Sequence, residues 1–140
     1  MNETLKEALY RAVEKEPFCA ALGIRLLDLD EGYSLVEMVY RPEAMDNIYG
    51  RAHGGAVFAL IDEAFETSSQ TEGTIAVALN VNVTYVSSPE PGSVLRAESR
   101  RLNQTKKTAL YDIKVTDQDG RLLSACQALA FRTGKPIPFL

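Results

Sequence analysis

The 140-residue sequence holds a single histidine, His53, and that scarcity removes whole classes of chemistry. A metal site built on two or three histidines is excluded within one chain. Only two cysteines occur, Cys19 and Cys126, and their separation fits no metal or redox spacing. They read as buried free thiols in a reducing cytosol. Long apolar runs are also missing. The longest unbroken one is Ala56 to Ile61, against about 20 residues for a membrane-spanning helix. The opening MNETLKEALYRAVEKEPF has acids throughout and no apolar signal-peptide stretch, so no membrane partner and a cytoplasmic location are expected. There is no excess of positive charge. A net charge of −4 and a pI near 5.0 argue against a nucleic-acid partner. Neither a G-x-S-x-G elbow nor a Walker-type phosphate loop is present, and TGKP near the C-terminus lacks the context for cradling phosphate. Repeats, low-complexity tracts and linkers are absent.

What is there reads as an ordinary globular chain. Hydrophobic residues make up 46% and charged residues 24%. Residues 1–140 are expected to form a single domain that buries about two thirds of its unfolded surface. Residues 3–15 read as a short amphipathic helix with Leu5, Leu9, Ala12 and Val13 on one side, ended by Pro17. Residues 24–30 and 33–41 read as a hairpin turning at Glu31-Gly32. Residues 43–52 form a polar loop. Residues 54–69 read as the main helix, apolar in every direction round its first two turns and therefore buried. Strands follow at 76–86, 94–102, 108–116 and 122–132, and the tail GKPIPFL looks irregular. Short links favour antiparallel pairing. The expected fold is α+β: an antiparallel sheet of about five to six strands wrapped round one long central helix. A single curved sheet leaves the far side of that helix open for a second subunit.

Two features of the central segment bear on chemistry. Gly54 and Gly55 stand where the helix begins, and its free N–H groups make a ready oxyanion hole, or the glycines merely serve the turn. Asp62, within the apolar helix, is a candidate base or nucleophile. Alternatively, Asp62, Glu63 and Glu66 face water together, since Asp62 and Glu66 share a face. Gly54 and Asp62 lie eight residues apart, about 12 Å along one helix. One chain cannot easily bring both onto one carbonyl, but two antiparallel copies can.

The pattern N-x5-HGG-x6-D, formed by Asn47, His53-Gly54-Gly55 and Asp62, resembles the signature of the hotdog-fold acyl-CoA thioesterases, of the phenylacetic-acid-degradation (PaaI-like) branch. The likeness runs from about Phe18 to Arg132 and includes VNVTYVSSPEPG and KKTALYDIKV. It implies a hotdog dimer, paired again into a tetramer, that hydrolyses acyl-CoA without a cofactor. By that likeness Gly54 N–H polarises the thioester carbonyl, with Gly55 beside it. Asp62 of the facing subunit acts as base on water or as nucleophile. Asn47 holds the carbonyl or the water, and His53 braces the helix entrance. Glu66 stands where relatives commonly carry a small residue or a hydroxyl, so it shares the catalytic role or alters the acyl pocket. Tyr49 and Phe58 are candidate pocket walls. Arg100, Arg101, Lys106 and Lys107 flank one expected hairpin and offer contacts for coenzyme A phosphates, or serve only as a solvated turn. Two rivals remain on the same scaffold: a non-catalytic acyl-CoA binding module, and a dehydratase relying on His53.

Overall fold

The computed structural model describes residues 1–140. Asn2 caps the first helix, α1 (Glu3–Glu14), by accepting from Leu5 N–H at 3.2 Å. A second helix follows at once, α2 (Pro17–Leu22), which closes on Gly23 in the left-handed region at φ 69°. Pro17 thus starts a helix as well as stopping one: at a first helical position its missing N–H costs nothing. Next come β1 (Arg25–Asp30), β2 (Tyr33–Val39), the single turn α3 (Pro42–Met45), and the long helix α4 (Gly54–Ser69). Four strands complete the chain: β3 (Thr74–Tyr85), β4 (Val94–Gln104), β5 (Thr108–Thr116) and β6 (Leu122–Pro136).

All six strands form one antiparallel sheet in the order β1-β2-β4-β5-β6-β3. Its concave face alternates as a half-buried sheet must. Val36 and Met38, Leu95 and Ala97, Ala109 to Val115 at every second position, and Ala128 and Ala130 point at α4. The helix answers with Val57, Leu60, Ile61, Ala64 and Phe65. This is the expected hotdog arrangement of a sheet round a central helix. Alanines on both surfaces let the two approach closely, and two buried hydrogen bonds fix the depth. Ser34 Oγ donates to the Ala64 carbonyl at 2.7 Å, and Ser68 Oγ meets Ser99 Oγ at 2.8 Å. Phe65 packs edge-on against Tyr111 with ring centres 5.6 Å apart.

Two expectations need correction. Helices α2 and α3 were not foreseen. The tail is not irregular, because β6 runs on to Pro136 and Ile137 is buried with Leu5, Leu9 and Leu29. As expected of a single sheet, α4 is not enclosed all round within one chain: Gly55, Asp62 and Glu66 are exposed and Phe58 half-buried, one open stripe down the helix. The edge strand β3 is open too, with Val77, Leu79 and Tyr85 exposed at 48%, 58% and 52%. No helix is long and apolar enough to cross a membrane.

Candidate active site

The site begins at the mouth of α4. His53 is its N-cap, in extended conformation at φ −66° and ψ 131°. Its Nδ1 accepts from Gly55 N–H at 2.8 Å, and its carbonyl accepts from Ala56 N–H at 3.0 Å and Val57 N–H at 3.4 Å. Its own N–H donates to the Met45 carbonyl at 2.7 Å. The imidazole therefore braces the turn through Nδ1 and leaves only Nε2 to carry the ring proton. Of the first-turn donors, only Gly54 N–H has no acceptor within the chain. It is the free N–H of a helix start, where the macrodipole adds partial positive charge.

Tyr85, at the end of β3, closes over this point. Its hydroxyl donates to the Gly54 carbonyl at 3.0 Å. A Cβ on Gly54 would lie 3.2 Å from Tyr85 Cζ and 3.3 Å from its oxygen. Glycine is needed here for space. Sequence alternation placed Tyr85 on an apolar strand face and gave no sign of this contact. A cleft of about 390 Å³ opens beside Gly54, between Tyr85 and Ser87 to Pro89.

Asn47 shapes the loop before α4. Its Oδ1 accepts from Tyr49 N–H at 2.9 Å and Arg51 N–H at 3.1 Å, and its own N–H donates to the Arg51 carbonyl at 2.7 Å. With Oδ1 taken, the side-chain NH₂ is the group left to donate. Tyr49 stands 81% exposed in the same loop and lines nothing within the chain.

The acids of α4 divide by angle. Asp62 and Glu66 lie on the open stripe, while Glu63 turns inward and is 4% exposed. The carboxylate buried by the helix is thus Glu63, not Asp62. A turn of about 100° per residue separates the two, and an almost wholly apolar helix gives the sequence no phase to read. Lost hydration, then the charge of Glu16, raises the Asp62 pKa, although the residue is exposed overall. Burial raises Glu63 more strongly, the neighbouring Glu66 adding to it, and Glu66 itself is raised by burial and by Glu16. Glu63 Oε1 is buried with no hydrogen-bond partner. Burial, with Glu63 and Glu16 beside it, also pushes the Cys19 thiol up.

A second cleft, of about 450 Å³, runs from Glu66 and Glu16 between α1, the start of β3 and the tail, walled by Val13, Ile75 and Ile137. It begins one helical turn beyond Asp62.

The expected basic cluster is not brought to this site. Arg101 is tied to Glu31 and Glu72 at 3.3 and 3.1 Å and bonds Gln104 at 2.6 Å. Arg100 pairs with Glu98 and stacks on Tyr33 at 4.7 Å. Lys106 and Lys107 are exposed in the β4–β5 turn, next to Arg132, which pairs across with Ala76 of β3. Tyr85 lies nine residues further along that strand, so this turn and the Gly54 mouth are about 30 Å apart within a chain.

Comparison with known proteins agrees with this geometry. The thioesterase superfamily pattern matches residues 49–124. A protein of Archaeoglobus fulgidus carrying an esterase designation is 32% identical over 99% of this chain and 87% of its own length. The acyl-coenzyme A thioesterase PaaI of Escherichia coli is 29% identical over 89% of this chain and 88% of its own. A solved structure of E. coli PaaI superimposes with a TM-score of 0.87 at 28% identity, covering 95% of this chain and 99% of that one. The smu.793 protein of Streptococcus mutans, solved bound to acetyl CoA, gives 0.76 at 27% identity over 81% of this chain and 91% of that one. With more than half of its length matching the family pattern and 32% identity to a relative across nearly all of it, this chain belongs to the thioesterase superfamily.

Proposed function

We propose that the chain hydrolyses acyl-CoA thioesters to a free acid and coenzyme A, at two sites each shared between two copies. One juxtaposition carries this reading. Gly54 N–H is free at the mouth of α4, and Asp62 lies on the open stripe of the same helix about 12 Å away. Two antiparallel helices meeting along that stripe bring Gly54 of each chain to Asp62 of the other. The exposed apolar edge of β3 supports such pairing. So do the kinship with PaaI and the acetyl CoA bound by smu.793.

In this arrangement Gly54 N–H accepts the charge that develops on the thioester oxygen. Asp62 takes a proton from water as it attacks the carbonyl carbon; its raised pKa suits a base. The C–S bond breaks, the coenzyme A thiolate leaves, and the proton returns to it. Direct attack by the carboxylate, giving a mixed anhydride that water then opens, uses the same placement. The Asn47 NH₂ holds the carbonyl or the water. A dehydratase is disfavoured because His53 Nδ1 is committed to Gly55. For coenzyme A phosphates, Lys106 and Lys107 serve from the partner's hairpin, since their own lies at the wrong end of the sheet. Pairing of dimers into a tetramer follows from the family resemblance, and free buried thiols support a cytoplasmic setting.

A free-thiol assay over a panel of acyl-CoAs tests the activity. Asp62→Asn is expected to lower kcat by about 10²–10⁴-fold with coenzyme A binding kept. Binding without thiol release in the native protein would leave only a binding module. Mixing Asp62→Asn and Gly54→Ala chains, each reduced to about a hundredth of native activity or less, tests the sharing. Half of randomly paired dimers are mixed and hold one intact site, so about a quarter of native activity should return. No recovery after subunit exchange rejects the shared site.

A further inference from the structure

Two short motifs face each other across the α2–α4 contact. Glu16, the N-cap of α2, stands three residues before Cys19, and Glu63 stands three before Glu66 on α4. One carboxylate oxygen each of Glu16 and Glu63 and the Cys19 sulfur all lie within 4.8 Å of one another. Glu66 lines the same cleft as Glu16.

The group is short of positive charge. No lysine, arginine or histidine pairs with Glu16, Glu63 or Glu66 anywhere in the chain. Buried carboxyls ordinarily find a cation, donors or a proton. A second observation points to a ligand: Glu63, 4% exposed, ends in a buried Oε1 with no partner. That oxygen belongs to the carboxyl that faces Cys19 and Glu16.

We propose that Glu16, Cys19 and Glu63 form a binding site for one divalent transition ion, zinc by its chemistry, which clamps α2 onto α4, with a water from the cleft completing the coordination. One thiolate and two carboxylates suit an ion of borderline softness; magnesium and calcium take oxygen ligands alone. Tetrahedral coordination at Zn–S of about 2.3 Å and Zn–O of about 2.0 Å sets donors about 3.3–3.6 Å apart. Contraction by up to about 1.5 Å from the 4.8 Å limit, through rotamer adjustment of the glutamates, closes the site. The cleft lined by Glu16 and Glu66 provides the way in. Binding replaces the Cys19 thiol proton and any carboxyl proton, which pass to solvent.

Cobalt(II) reports this directly, because a thiolate ligand gives a near-ultraviolet charge-transfer band and tetrahedral geometry intense visible bands. The full chain, stripped with chelator and titrated with cobalt(II), should develop both bands at one ion per chain. Zinc(II) should then displace the cobalt. The bands should persist in Cys126→Ser, whose only remaining thiol is Cys19, and vanish in Cys19→Ser. Glu63→Gln should weaken cobalt binding at least about tenfold. Zinc(II) should raise the Tm of the native chain and not that of Cys19→Ser. A folded native chain without the charge-transfer band overturns the proposal, as does a band that disappears in Cys126→Ser. Thiol release from acyl-CoA is a separate readout, so failure here does not bear on the hydrolase reading.

Discussion

Gly54 is a residue with almost no spare space and one free donor. A methyl group there would press on Tyr85 at 3.2–3.3 Å. Tyr85 is half exposed and can yield, so Gly54→Ala should fold with a Tm within a few degrees of native. Displacing the helix mouth by even a fraction of an ångström should still lower kcat/KM by about 10²-fold, measurable by thiol release. Glu37 behaves differently. It is 8% exposed on the outer sheet face, directly between Arg25 and Arg96 in register, with contacts of 2.6 and 2.9 Å. Burial alone would raise its pKa, but the hydrogen bonds from the two arginines outweigh that and lower it. Its stabilisation is therefore complete above the unfolded value near 4.5 and lost as pH falls through the lower folded value. Both arginines are more than half exposed, which screens the pairs. Glu37→Gln should cost about 1–2 kcal/mol at pH 7, and the gap to native should close in urea titrations below pH 4.

At the scale of elements, α4 is held by both grease and hydroxyls. Phe65→Ala removes the ring against Tyr111 and should destabilise by about 3–5 kcal/mol. Ser68→Ala strands Ser99 Oγ without its partner and should cost about 1–2 kcal/mol, less once Ser99→Ala is added. A urea double-mutant cycle measures that coupling. The bounds of α4 and β5 were legible in the sequence residue for residue, because glycines flank the one and strict alternation marks the other. Helix α2 was not, because a proline reads equally as the end of one helix and the start of the next. The inward turn of Glu63 was not legible either. Apolar residues nearly all round α4 hide its phase until the sheet is in place. The mouth of the site, Asn47 to Gly55, was legible as a motif. Its contact with Tyr85 joins residues 31 apart and carries no local signal.

At the scale of the molecule, the exposed side chains of β3 and the open stripe of α4 are the two surfaces that the proposed pairing of copies would cover. Placing a lysine at Leu79, 58% exposed on that edge, should leave the monomer folded but shift its mass in light scattering to a single chain. Tyr85 gives this surface a kinetic side. It ends the edge strand by which copies are expected to pair, and its hydroxyl holds the carbonyl of Gly54, the residue whose N–H is proposed as the oxyanion donor. Anything that loosens that strand also slackens the catalytic turn. Turnover per mole of protein should therefore fall on dilution into the range where subunits separate. In Tyr85→Phe the fall should begin at a higher protein concentration.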